Sequence, residues 1–314
     1  MADKVVEYRQ MIQILVMFMI VQFFGLLLAT LVFSGATMQE ITSTEVMNSD
    51  TEVLFYIAYI VIAAAILVLL FKYINGRLLF RILEAVVIVV SSFFVFYVLS
   101  NYIIGNNNAA TLIGIAAALL LIYEKNKHQS LRNTAAILGS VGVGLVLGMS
   151  FTFETAYIFM GILAIYDFVA VFITKHMLSL ARVAEENNLA LMIGVNEIKG
   201  VPETEVSKKT RMEIKKEYDK LKSPEAMFFK NKKLVPMLAR VELGTGDLGV
   251  PLMVAISAFG TSTNFVLSFF VIFGAIAGLV ATMLILKKYK RALPAIPPLF
   301  AGITLFVGLY MLLF

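Results

Sequence analysis

The sequence predicts an all-α membrane protein of nine transmembrane helices, with the N-terminus cytoplasmic and the C-terminus extracellular. Three observations predict it. Of 314 residues, 60% are hydrophobic and only 15% charged, whereas soluble domains carry about 25% charge. The apolar residues gather in runs near the ~20 residues that a membrane-crossing helix needs. All 26 Lys and Arg residues fall in alternate loops, and basic loops are retained on the cytoplasmic side. So little charge cannot cover a water-exposed surface, which excludes soluble enzymes and disordered chains. The placement of the positive charge excludes a nucleic-acid module.

In chain order the runs are 11–35, 53–71, 82–104, 109–123, 134–153, 155–174, 247–260, 264–286 and 293–314. The first follows Lys4 and Arg9 and ends in Ser34-Gly35-Ala36, as a secretory signal would. A cleavable apolar core is about 7–15 residues long, so this longer run reads as a retained span. The fourth to sixth runs are crowded, with joints at Asn106-Asn107-Asn108, from Glu124 to Asn133, and near Glu154. After Lys4 and Arg9, the cationic loops hold Lys72, Arg77 and Arg81, then Lys125, Lys127 and Arg132. Fourteen basic residues follow between Lys175 and Arg240, then Lys287, Lys288, Lys290 and Arg291. Loops 36–52, 105–108, 154–155 and 261–263 hold none. Nine spans satisfy that alternation; eight or ten would break it. Run 247–260 is short, and reaches full length only if its helix begins near Val241.

The chain divides into an N-terminal helical part (1–184, spans one to six), a hydrophilic cytoplasmic loop (185–240) and a C-terminal helical part (241–314, spans seven to nine). The loop interleaves Glu185-Glu186, Lys208-Lys209, Lys215-Lys216 and Lys232-Lys233 and reads as a solvated linker. Ile214, Tyr218 and Leu221 stand at helical spacing, which predicts a short amphipathic helix over 205–222. The stretch from His176 to Ala184 suits an extension of span six in the headgroup plane. There is no cysteine, and His128 and His176 are the only histidines. Disulfides, thiol chemistry and a histidine-built metal site are therefore excluded, and no cofactor is expected.

Ionisable groups inside spans are costly and mark function by default. Three acids qualify. Glu84 stands three residues after Arg81, one helical turn away, and reads as a structural ion pair at the interface. Asp167 has no cation in its own span; Lys175 is eight residues on, which puts the carboxyl roughly 12 Å inside the cytoplasmic boundary at ~1.5 Å per residue. Asp247 follows Arg240 by seven residues, about 10 Å deep if that stretch is helical. Spans six and seven run in opposite directions, so both aspartates fall at similar depth on the same side.

Two facing carboxyls cannot both hold a charge cheaply in a dry setting, so they share a proton. The charged member can draw a proton from water while the neutral one donates to a carbonyl oxygen, which is peptide hydrolysis without a covalent intermediate. The same polarity also suits the proton or cation relay of a transporter or leak channel. Around Asp247, Leu243-Gly244-Thr245-Gly246 permits close backbone approach, and Pro251 removes an amide donor four residues later. Span nine opens with Pro294-Ala295-Ile296-Pro297-Pro298, which predicts an extended entry before the helix takes over near Leu299. Irregular backbone at membrane depth is tolerated where it lines a wet cavity or is buried in protein. Its free amides and carbonyls can receive an unwound substrate by strand addition.

Together these motifs resemble the Gly-x-Gly-Asp intramembrane aspartyl proteases of the presenilin and signal peptide peptidase family. Tyr166-Asp167 is similar to the family's Tyr-Asp motif, Gly244-Thr245-Gly246-Asp247 to its Gly-x-Gly-Asp motif, and Pro294-Ala295-Ile296-Pro297 to its Pro-Ala-Leu-Pro motif, with isoleucine for leucine. The resemblance implies that Asp167 and Asp247 are the catalytic pair. It also implies that Tyr166, Leu243, Gly244, Thr245, Gly246, Pro294, Ala295, Ile296 and Pro297 form the active site and engage substrate. The orientation is that of presenilins, and the compact loops look most like single-chain archaeal homologues. The 185–240 loop lacks an apolar segment like the one presenilins cleave in themselves, so self-cleavage is not expected. The implied partners are transmembrane substrates and the lipid bilayer of the cell membrane. Accessory subunits are not expected, and self-association is left open. A prepilin-peptidase-like enzyme also uses a Gly-x-Gly-Asp aspartate, but it leaves the proline motif unexplained. A non-catalytic scaffold leaves the burial of Asp167 unexplained.

Overall fold

A computed structural model describes residues 2–34, 76–127, 131–173, 192–202, 234–262, 265–289 and 294–314. The expected second span (53–71), the amphipathic helix over 205–222 and the interfacial stretch from His176 to Ala184 lie outside the described residues. The described elements are α1 (Ala2–Ser34), α2 (Gly76–Ile104), α3 (Asn107–Lys127), α4 (Leu131–Ser150), α5 (Phe153–Phe172), β1 (Met192–Pro202), β2 (Leu234–Gly244), α6 (Thr245–Ser262), α7 (Phe265–Tyr289) and α8 (Ile296–Leu313). Seven of these helices, all except α6, are long and apolar enough to cross a membrane.

The helix ends follow from local chemistry. Gly105 takes a left-handed φ of 66° and closes α2, its N–H bonding the Asn101 carbonyl at 2.8 Å. Left-handed backbone at that position favours glycine. Asn106 then caps α3, its Oδ1 accepting the N–H groups of Asn108 and Ala109 at 3.0 and 3.2 Å. Thr152 caps α5 in the same way through the Thr155 N–H. Such caps satisfy donors that a helix start leaves unpaired.

Two compact units divide the chain. Leu15–Ile193 and Leu243–Phe314 form the larger, helical one; Met1–Ile14 and Gly194–Glu242 form the other. In the smaller unit β1 and β2 pair as a two-stranded sheet, which the reading of 185–240 as a solvated linker does not include. Alternation explains the first strand, since Ile193 and Val195 are buried two residues apart, as one face of a strand requires. Pro236 in β2 is tolerated because both strands of a two-stranded sheet are edges.

In the helical unit α6 is the packed centre, with Leu248 through Phe259 buried without interruption. Close approach to α6 is made by small residues. On α4, a Cβ at Gly144 would stand 2.7 Å from Leu252 Cδ2, and one at Gly148 would stand 2.7 Å from Ile256 Cβ. On α1, a Cβ at Gly25 would strike the Leu252 side chain, while Phe33 meets Phe259 edge-on at 5.4 Å. Gly142 of α4 faces the other way, onto the Ser91 backbone of α2. Between α7 and α8 the backbones touch at Gly274, Gly278 and Gly302. Packing of this kind replaces a hydrophobic drive that is absent between helices in lipid.

Glu84 makes a buried ion pair with Lys125 of α3, a partner beyond the Arg81 that its own helix offers. The lysine on the adjacent helix is long enough to reach across to α2, and both charges are buried together.

Gly302→Ala is expected to lower the thermal midpoint in detergent, because the new methyl would lie 2.9 Å from Gly278 N and 3.1 Å from its Cα. Overpacking of this kind costs about 1–3 kcal/mol. Gly308, beside which a Cβ meets nothing within 4 Å, is the control, and Gly308→Ala should leave the midpoint unchanged or raise it slightly.

Candidate active site

Asp167 lies on the last third of α5, and its side chain turns inward to 4% exposure. Its Oδ2 accepts the backbone N–H of Ile296 at 3.3 Å, and the Ala295 amide also bonds the carboxyl. The carboxyl thus occupies the N-terminus of α8. Ala295 has no capping side chain, and Pro297 and Pro298 have no N–H to offer. Asp167 serves as the cap from another helix.

This start of α8 differs from the extended entry expected through Pro298. The helix begins at Ile296, and Ala295 already has helical angles (φ −90°, ψ −32°). Proline is favoured in the first turn, where its missing N–H is not needed and its fixed φ suits the helix. Among the described residues, only Pro294 and the cap residue Ala295 precede the helix. Arg291 to Leu293 lie outside the described residues.

Asp247 sits at the third position of α6. Its carboxyl reaches back to the backbone amide of Gly244, the geometry by which an acid at that position closes a helix start. The expected helical extension from Val241 is absent: β2 continues to Gly244, and α6 begins at Thr245. Valine and leucine alternating with charged Arg240 and Glu242 favour the extended chain here. A Cβ at Gly244 would lie 3.1 Å from Asp247 Oδ2, so a side chain there would press on the carboxyl. Gly246 is exposed, with nothing within 4 Å of a Cβ; a neighbouring backbone has room to approach.

The two aspartates, from helices separated by 80 positions in sequence, come within each other's electrostatic reach. Asp247 is half-buried. Pro294, Ala295 and Ile296 are buried beside the start of α8, Pro297 is half-buried, and Leu243 is buried at the end of β2. Tyr166 departs from this grouping. Its ring is 59% exposed, because successive residues on a helix point ~100° apart and Asp167 takes the inward direction.

Two polar residues that sequence reasoning passed over touch this region. Gln22 of α1, fully buried, donates from Nε2 to the Leu248 carbonyl at 2.9 Å. Ser140 of α4 places its Oγ 2.8 Å from the Ala136 carbonyl and 3.2 Å from that of Thr245. The signal that could have found Gln22 is an amide deep inside an apolar span.

Comparison with known proteins bears on the family and the fold. The family described as signal-peptide peptidase, presenilin aspartyl protease matches residues 15–312. Among solved structures, one of a presenilin family intramembrane aspartate protease is similar with a TM-score of 0.56 at 17% identity, covering 95% of each chain. A second, in another space group, has a TM-score of 0.57 at 18% identity and covers 96% of each. At such identities the likeness speaks for the fold. No curated protein matches the chain. With the family match spanning nearly its whole length, this chain belongs to the signal-peptide peptidase and presenilin family of intramembrane aspartyl proteases.

Proposed function

We propose that the chain hydrolyses peptide bonds within the transmembrane segments of other membrane proteins, with Asp167 and Asp247 jointly activating one water. The observation that carries this reading is the convergence of the two carboxyls, each held by backbone amides at a helix start. Helix N-termini favour negative charge, so a shared proton leaves one acid charged without a basic side chain. The charged carboxylate takes a proton from water as its oxygen attacks the scissile carbonyl. The protonated partner gives its proton to the carbonyl oxygen, and the tetrahedral diol collapses as a proton passes to the leaving nitrogen.

A substrate helix must unwind before attack, and its freed amides and carbonyls then need partners. Leu243, Gly244, Thr245 and Gly246 on one side, and Pro294, Ala295, Ile296 and Pro297 on the other, offer backbone for that purpose. Tyr166 contacts substrate from the outward face of α5. In this reading nine spans cross the cell membrane with the N-terminus inside and the C-terminus outside, and no accessory subunit is required.

In liposomes, the purified protein should cut a synthetic single-span peptide. Asp167→Asn or Asp247→Asn should each lower kcat by about 100-fold or more, the range for losing an acid–base group. Full turnover in either variant would sink the two-aspartate mechanism. An ion flux that needs both acids, with no peptide products, would assign them to a relay instead.

The absence of cysteine makes the topology directly measurable. Phe314→Cys should react with an impermeant maleimide in intact cells, whereas Lys209→Cys should react only after permeabilisation. The reverse pattern would refute the orientation.

A further inference from the structure

The first turn of α6 is poorly held by its own hydrogen bonds. In a regular helix the carbonyl of residue i accepts the N–H of residue i+4. Pro251 has no N–H, so the Asp247 carbonyl lacks its helical donor. Gly244, Gly246 and Gly249 surround the aspartate, and glycine restrains backbone conformation least. A carboxyl on this turn needs fixing from outside.

The outside contacts fall on either side of the gap. Gln22 Nε2 bonds the Leu248 carbonyl at 2.9 Å. The Ser140 hydroxyl, its proton shared with Ala136, reaches the Thr245 carbonyl at 3.2 Å. Gln22 is fully buried, and its Oε1 finds no hydrogen-bond partner among the described residues. Burying an amide oxygen unpaired is unfavourable, and methionine would fill the same space without that penalty. What the glutamine does that methionine cannot is donate to the residue next to Asp247.

We infer that Gln22 is a positioning residue for the reaction, fixing the turn that aims Asp247, with Ser140 as its lesser counterpart on the opposite side. The inference rests on the peptidase reading and adds to it a further helix, α1, acting through the α6 backbone. Misplacing a reacting group by about 1 Å can cost 100-fold, so loss of this anchor should appear in turnover before it appears in substrate binding.

The test compares wild type and Gln22→Met in liposomes with a synthetic single-span peptide, reading kcat and KM separately. Binding of a peptide carrying a hydroxyl-bearing transition-state mimic is read alongside. The expected result is a fall in kcat of about 10- to 100-fold, KM within about twofold, and weaker binding of the mimic in step with kcat. A variant that keeps kcat, or that raises KM alone, overturns the inference while leaving the peptidase reading intact. A wild-type protein that cuts no peptide removes both. Should Gln22→Met fail to fold, Ser140→Ala carries the same comparison: a smaller fall confined to kcat supports the inference, and an unchanged kcat overturns it.

Discussion

The hydrogen bond from the Ile296 N–H to the Asp167 carboxyl ties together two helices that are distant in the chain. It joins α5 to the start of α8 and supplies the cap that α8 cannot build for itself. Alanine at the cap position and prolines in the first turn leave Ala295 and Ile296 as the available donors, and both point to one acid. Asp247 repeats the theme on α6 with the Gly244 amide. In each case main-chain N–H groups take the place of a counter-ion, which solves the problem of keeping an acid at membrane depth. Main-chain donors also cannot be titrated away, so the two carboxyls keep these partners at any pH.

Close backbone packing is what brings these helix starts together. Lipid tails are as apolar as leucine, so helices in a bilayer associate through contact and hydrogen bonds. The glycines of α4 let α6 sit against it, and those of α7 and α8 let the proline-bearing end of α8 approach. Gly278 lies against the Pro298 carbonyl and Leu299, one turn from Ile296. The position of the Asp167 partner thus depends on a glycine two helices away in the packing order.

How much of this could be read from the sequence varied with the physics involved. Long apolar runs mark helices because lipid demands them, and α2, α3, α4, α5, α7 and α8 each coincide with a run to within a few residues. Asp167 and Asp247 stood out because uncompensated acids are rare in such runs. Pairings between segments were not legible. Lys125 as the partner of Glu84, the two strands, and the contacts of Gln22 and Ser140 all depend on which element lies beside which, and composition carries no trace of that. The start of α6 is not legible because Val241 and Leu243, with Glu242 between them, suit the entry of a helix as well as a strand. The short entry to α8 was misread because proline suits the first turn of a helix as well as a loop.

The exclusion of α6 from the seven strongly apolar helices has a consequence for how the protein is made. With an aspartate, a proline and two glycines in its first seven residues, α6 carries at its start groups that lipid alone solvates poorly. Its neighbours α1 and α4 precede it in the chain and offer the surfaces that bury it. In the order of synthesis, the helices that bury this segment are therefore complete before it is made.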